Sequence, residues 1–167
     1  KPSELDLPQL RWGRKYERAA IASIELQLGI DVEDPGTVFH AKYPFCSATP
    51  DGRAGGTVFE VKCPHNAEKH LKNIYDAPVL KVGARGGRHK WWWQMQWEAW
   101  CDGAHRIVFA SFDPQQPLKT RLRLTEVPVD LEAQARFEKN VIRFQNLFET
   151  GKSDTPGTVK PIGIPEL

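Results

Sequence analysis

The sequence has 167 residues, of which 40% are hydrophobic and 26% are charged, with a formal net charge of +2 at pH 7. This length suits one domain with a hydrophobic core, and no apolar run approaches the length of a membrane span. The chain is not basic overall, so any attraction for nucleic acid must come from local clusters of charge.

The first predicted element is a helix over residues 8–28, in which Leu10, Ala20 and Ile24 fall at helical spacing and which Gly29 ends. The remaining predicted elements are strands over 37–42, 45–49 and 57–62, a short helix over 66–75, a mobile loop over 77–88, a helix over 89–101, strands over 105–112 and 119–127, and a long helix over 130–149. With the helices over 66–75 and 89–101 counted as one helical connection, the predicted order is α-β-β-β-α-β-β-α. This order indicates an α/β protein (α+β) with a mixed sheet flanked by helices.

The end of the chain differs in composition from the rest. Residues 151–167 contain three prolines and three glycines, which exclude regular secondary structure. We therefore predict one domain over 1–150 and a tail over 151–167 that packs as an extended arm or docks on a neighbour.

Three scattered cysteines, Cys46, Cys63 and Cys101, form no Cys-x-x-Cys pair. Disulfides, a zinc site and a four-cysteine iron–sulfur cluster are therefore poorly supported, which suits a reducing cytoplasm. Cys63 is better explained as a small packed residue than as a nucleophile.

Two carboxylates and a lysine lie close together around the predicted strand 57–62. Asp51 follows Pro50 in a Pro-Asp-Gly turn, whereas Glu60 and Lys62 share one face of the strand and Val61 points into the core. A hairpin would bring both carboxylates to one edge, where a divalent cation relieves their repulsion. Oxygen ligands favour Mg²⁺, Mn²⁺ or Ca²⁺ over zinc.

Further motifs flank this cluster in a fixed order. The segment Trp-Gly-Arg-Lys-Tyr-Glu ends at Glu17, then come Thr-Pro-Asp-Gly, Glu-Val-Lys-Cys-Pro, and Gln94-x-Gln96. This order, over residues 11–114, resembles the phage lambda-type alkaline exonucleases and their YqaJ-like relatives within the PD-(D/E)xK nuclease superfamily. Family members usually carry a longer segment before the Trp-Gly motif, and the chain is expected to lack it.

The resemblance implies a restriction-endonuclease-like core with the order α-β-β-β-α-β. It implies Mg²⁺-dependent hydrolysis of linear double-stranded DNA, with Mn²⁺ as a substitute, from 5′ to 3′. The product would carry a 3′ overhang for a single-strand annealing partner. It further implies a homotrimer and a phage or prophage protein acting in the bacterial cytoplasm.

Roles for individual residues follow from the residue types and the resemblance. Asp51 and Glu60, with the backbone carbonyl of Val61, are the candidate metal ligands, and Lys62 would neutralise charge on the phosphate. The resemblance assigns Glu17 to metal binding, at a site that would hold one or two ions, although a helical glutamate among basic residues is usually a surface ion-pair partner. It also favours Gln94 over Gln96 for contact with the lysine or the attacking water.

Candidate DNA contacts come from two basic clusters and one aromatic residue. They are Arg14, Arg85, Arg88, Lys90 and Trp91, the last of which could stack on a base. The alternative is ordinary solvated charge. Trp93, Trp97 and Trp100 are most simply core residues, and His65 and His70 are expected on the surface.

Rival functions share these residues. A PD-(D/E)xK endonuclease would use the same chemistry, and RNA remains a possible substrate. A catalytically dead DNA-binding module is less favoured, because every expected catalytic position holds a competent residue.

Overall fold

The computed structural model describes residues 7–82 and 90–151. Its elements are helix α1 (Pro8–Leu28), strands β1 (Val38–Phe39), β2 (Ser47–Ala48), β3 (Gly52–Ala54) and β4 (Thr57–Lys62), helices α2 (Ala67–Val82) and α3 (Lys90–Asp102), strands β5 (Arg106–Phe112) and β6 (Leu122–Val127), and helix α4 (Leu131–Thr150). They form two compact units that divide after Asp130, so that α4 belongs to the second unit.

Helix α1 begins and ends where the sequence predicts. Pro8 occupies the first turn, where its missing N–H removes no helical hydrogen bond. Gly29 adopts φ 65° and donates to the Glu25 carbonyl at 2.8 Å, which caps the helix. Ala20 and Ile24 lie one turn apart and are fully buried, so the face of α1 that carries them packs against the sheet.

The main sheet has four strands in the order β3-β4-β5-β6. The β3–β4 and β5–β6 pairs are antiparallel, whereas β4 and β5 are parallel and are joined by a crossover through α2 and α3. Strands β1 and β2 form a separate antiparallel pair. The predicted mixed sheet flanked by helices is confirmed.

The central strand β4 is buried on both faces. Phe59 and Val61 pack with α1 in the core, which confirms the prediction that Val61 points into the core. Val58, Glu60 and Lys62 alternate with them and point to the other face, against which α3 packs. A strand covered on both faces normally carries apolar side chains, so the buried Glu60 is an exception in this strand.

Several predicted bounds were wrong. The strands over 37–42 and 45–49 shrink to two residues each, and β3 was missed. The helix predicted over 66–75 continues through Pro78 to Val82, so residues 77–82 are not a loop. Proline is unfavourable inside a helix, but the helix propensity of a single residue is weak, and the residues on both sides of Pro78 keep the segment helical.

The later elements follow the prediction more closely. Helices α3 and α4 lie within a residue of the predicted bounds, and β6 begins at Leu122 rather than 119. The rest of the predicted loop, within residues 83–89, and the predicted tail from residue 152 lie outside the described residues. None of the helices in the described ranges combines the length and hydrophobicity of a membrane-spanning segment.

Candidate active site

The β3–β4 hairpin places Asp51 beside the end of β4. The Asp51 amide donates to the Phe59 carbonyl at 3.1 Å, and Oδ2 of Asp51 accepts from the Val61 amide at 2.7 Å. A strand residue presents its N–H and C=O to the same neighbour, so the Val61 carbonyl also lies on the Asp51 side. Gly52 is required here, because a side chain at this position would come within 2.6 Å of Val32.

Glu60 is the most deeply buried acid of the site, with 1% of its surface exposed. Its Oε1 accepts from Nε2 of Gln94 at 2.9 Å and forms an ion pair with Lys62. Its Oε2 has no hydrogen-bond partner among the described residues. Burial raises the pKa of Glu60, and the charge of Asp51 raises it further, while Lys62 opposes both.

Lys62 joins the buried acids to an open cavity. Its side chain is 28% exposed, it pairs with Glu60, and its Nζ lies 6.0 Å from the centre of the Trp91 ring. Burial alone would lower the pKa of Lys62, but the charge of Glu60, its hydrogen bond to the lysine and the charge of Asp51 outweigh burial and raise the pKa. The lysine is therefore held as a cation.

The two glutamines of α3 point in different directions. Gln94 reaches Glu60, whereas Gln96 is fully buried, donates to the Pro128 carbonyl at 2.8 Å and accepts from the Asp130 amide at 2.8 Å. Gln96 therefore ties α3 to the segment after β6. Of the two, Gln94 is the one that the structure brings to the site.

Glu98 is a site residue that the sequence analysis missed. It is 3% exposed and its Oε1 accepts from Gln94 at 2.8 Å. Burial, and next the charge of Glu60, raise the pKa of Glu98 to about 9, so this carboxyl is protonated at neutral pH. The available signal was its spacing, because residues four apart on a helix share a face and Glu98 follows Gln94 by one turn.

Glu17 lies on α1 beside the stripe that faces the core, and it is exposed. It borders a cavity of about 620 Å³ that includes Asp51 and the unpredicted Asp34. Partial desolvation at the cavity and then the charge of Asp51 raise the pKa of Glu17, although Lys62 opposes them. The structure therefore brings Glu17 into electrostatic range of Asp51, as a metal role requires, without direct contact to Glu60.

A second cavity, of about 560 Å³, opens on the Lys62 side. Its lining combines Trp91 with the basic side chains of Lys62, His65, Lys69 and Lys72. It also contains the acid Asp76, whose Oδ2 lies 3.3 Å from Nζ of Lys72. Trp91 is half-buried and lines this cavity, and its ring stacks on the buried Phe109 with ring centres 5.5 Å apart. Arg14 lies exposed on α1. Arg85, Arg88 and the side chain of Lys90 lie outside the described residues.

Other predictions met mixed outcomes. His70 is not on the surface: it is 1% exposed, with ring nitrogens 2.9 Å from the Ser111 hydroxyl and 2.9 Å from the Thr120 carbonyl. Helix α2 turns this face toward β5, which the sequence did not reveal. Trp92 and Trp100 are buried, whereas Trp93 and Trp97 are only half-buried.

Cys63 lines the cavity on the Lys62 side, and its thiol is protonated at neutral pH. Burial, followed by the charge of Glu17, raises the pKa of Cys63 to about 12, so it carries no thiolate at neutral pH. His65 is half-buried at the cavity of Lys62, rather than fully on the surface.

The donor atoms at this edge fit a hard divalent cation. Two carboxylates and a backbone carbonyl offer oxygen only, and an acid oxygen of Glu60 is buried without a donor. Among the described residues, no three Asp, Glu, His or Cys side chains gather closely enough to form a complete ligand set. The remaining ligands would be water and phosphate oxygens, as is usual for Mg²⁺.

The family of the chain is settled by comparison with known domains. The YqaJ-like viral recombinase domain matches residues 2–105, which is more than half of the chain. The protein belongs to this family. No curated protein matches the YqaJ-like chain significantly.

Solved structures agree with this assignment. The alkaline exonuclease LHK-Exo of Laribacter hongkongensis is similar with a TM-score of 0.70 and 25% identity, over 87% of this chain and 71% of LHK-Exo. LHK-Exo in complex with dAMP is similar with the same TM-score and identity, over 89% and 72% of the two chains. A phage-related exonuclease of Haemophilus somnus shares the fold, with a TM-score of 0.63 and 13% identity over 85% and 71%. The predicted family and fold are confirmed.

Proposed function

We propose that this chain is a Mg²⁺-dependent exonuclease that hydrolyses the phosphodiester bonds of linear double-stranded DNA. The observation that carries the proposal is the convergence of Asp51, Glu60, Lys62 and Gln94 at one edge of β4. The family and the alkaline exonuclease neighbours support a nuclease. A buried strand does not need a glutamate to fold, and burying a carboxylate costs free energy. This favours a catalytic role as the reason for Glu60.

Asp51, Glu60 and the Val61 carbonyl would hold one metal ion, and Glu17 would contribute to a second. When bound, Mg²⁺, or Mn²⁺ in its place, neutralises phosphate charge and lowers the pKa of a water molecule. The raised pKa of Glu60 fits this role, because a nearby cation would draw the proton away and restore the carboxylate.

Lys62 is the second source of positive charge. Its cation lies between the buried acid and the open cavity, where it can stabilise charge that develops on the phosphate and orient the attacking water. Gln94 reaches Glu60 from α3 and would hold that carboxylate, the lysine or the water in place.

The lysine-lined cavity offers a route for the DNA strand. Trp91 would stack on a base, and Arg14 would attract the backbone from α1. Arg85, Arg88 and Lys90 remain proposed contacts by their charge alone. A basic entrance beside an acidic metal site is the distribution that a nuclease needs.

The finer features of the proposal rest on the family. They are 5′ to 3′ polarity, a 3′ overhang passed to a single-strand annealing protein, a homotrimer, and action in the bacterial cytoplasm. Together these features would make the phosphodiesterase a recombination enzyme.

The test compares a linear duplex carrying 5′-phosphates with a covalently closed circle of the same sequence, in Mg²⁺ and in EDTA. Mg²⁺-dependent shortening of the linear form from its 5′ ends, with the circle intact, is the expected result. Cutting of the circle would replace the exonuclease with an endonuclease. No hydrolysis of either form would contradict the proposal, and Lys62→Ala is the control for contaminating nuclease.

A further inference from the structure

The amide of Gln94 has two acid neighbours rather than one. Its Nε2 lies 2.9 Å from Oε1 of Glu60 and 2.8 Å from Oε1 of Glu98. An amide nitrogen has two hydrogens, so both are used. The opposite orientation of the amide would bring its oxygen against Oε1 of Glu60, which is ion-paired with Lys62 and can only accept, and this contact is repulsive. Together the two acids therefore fix which way the Gln94 amide points.

Glu98 is poorly explained as a stabilising residue. It is 3% exposed, its Oε2 has no hydrogen-bond partner within the described ranges, and no Lys or Arg pairs with it there. A buried carboxyl with one oxygen unpaired destabilises a fold relative to an apolar side chain of similar volume. Its direct contacts run to two residues of the site: Oε1 accepts from Gln94, and the carboxyl interacts with that of Glu60.

Gln94 needs such support because its side chain is exposed, unlike that of Glu98. An exposed glutamine bonded to one acceptor can still rotate about its last torsion. A second acceptor one helical turn away removes this freedom, since α3 holds Gln94 and Glu98 at a fixed separation.

We propose that Glu98 is a positioning residue, whose Oε1 holds the Gln94 amide in the orientation that reaches Glu60. Glu98 itself need not touch DNA or metal. The predicted effect on hydrolysis rests on the proposed function, whereas the predicted effect on Gln94 does not.

The test replaces Glu98 by Leu, which keeps its volume but cannot accept a hydrogen bond, and by Gln, which keeps an acceptor oxygen. We expect kcat on linear duplex in Mg²⁺ to fall by about 10- to 100-fold in Glu98→Leu, with KM unchanged and Tm not lowered. Glu98→Gln should restore most of kcat. Glu98→Met, unbranched like glutamate, gives the same test if leucine does not fit.

Gln96→Leu is the matched control, because it removes two buried hydrogen bonds from the same helix on another face. It should lower Tm while leaving kcat near that of the wild type. The proposal is overturned if Glu98→Leu keeps its kcat, or if its kcat and Tm fall together as for a general loss of structure.

A second readout separates this proposal from the proposed function. Hydrogen exchange of the Gln94 side-chain amide, followed by NMR in metal-free protein, should be slow in the wild type and in Glu98→Gln. It should become fast in Glu98→Leu. Unchanged exchange would overturn the positioning role even in an active enzyme. Loss of protection would support that role even if the wild type degraded no DNA.

Discussion

The two sides of the candidate site differ in how their acids are held. On the α3 side, Glu60 and Glu98 are buried and share Gln94 as donor. On the α1 side, Glu17 and Asp51 border an open cavity, and Asp51 is fixed by a single backbone amide. The buried side fixes geometry, whereas the open side leaves oxygen atoms accessible to a cation and to water.

Removing the residue that lies between the two sides should have the largest effect. Lys62→Ala is expected to lower kcat on linear duplex by at least about 100-fold, because the developing phosphate charge loses its preorganised cation. Folding and DNA binding should persist, as judged by circular dichroism and a gel-shift assay in Ca²⁺. Lys42→Ala, a lysine outside both cavities, is the control. Loss of binding with normal cleavage of each bound complex would remove Lys62 from catalysis.

A change on the open side should act through the metal. Asp51→Asn is expected to weaken Mg²⁺ or Mn²⁺ binding by about tenfold or more, given that lost outer-shell partners alone cost about 10- to 100-fold. Titration calorimetry measures it directly. Glu33→Gln, in the same cavity but paired with Arg53, should keep the wild-type isotherm. An unchanged isotherm for Asp51→Asn would exclude Asp51 as a ligand.

Replacing Glu98 on the buried side should change how the free energy of unfolding depends on pH. Folded Glu98 keeps its proton up to about pH 9, whereas an ordinary glutamate loses it near pH 4.5. Between these values the folded state holds the extra proton, so the free energy of unfolding falls as pH rises, by at most about 1.4 kcal/mol per pH unit. Glu98→Gln removes this group.

Urea denaturation of metal-free protein at pH 5, 7 and 9 checks the difference. The wild type should lose more stability toward pH 9 than Glu98→Gln does. If the free energy of unfolding changed with pH equally in the two proteins, Glu98 would be ionised in the folded state. The contrast between the buried α3 side and the open α1 side would then weaken.

The smallest effect is expected at Cys63, which adjoins Lys62 but holds its proton. Cys63→Ala should leave kcat near that of the wild type, and a thiol-alkylating reagent at pH 7 should not inactivate the enzyme. A large loss of kcat would mean that this side chain does more than pack.

The half of the site on the hairpin could be predicted from the sequence, because it depends on local rules. A Pro-Asp-Gly turn and a strict alternation along β4 suffice to bring Asp51, Glu60 and Lys62 to one edge. The α1 helix was likewise predictable from its spacing and from Gly29.

Other features depend on packing that no local pattern encodes. β3 is a strand only because Gly52–Ala54 pairs with β4, since Gly-Arg-Ala has little strand preference of its own. His70 is buried because α2 turns that face to β5. Glu98 was missed because a glutamate on a tryptophan-rich helix has no mark of burial until the helix is placed against β4.

The parallel pairing of β4 with β5 has a consequence for synthesis of the chain. The hairpin that carries Asp51 and Glu60 leaves the ribosome first, but the other edge of β4 stays unpaired until Arg106–Phe112 follows. During that interval a strand with exposed hydrogen-bonding groups is open to wrong partners. The Glu60–Gln94 contact spans 34 positions along the chain, so a nascent fragment that ends before α3 holds the acids without the helix that orients them.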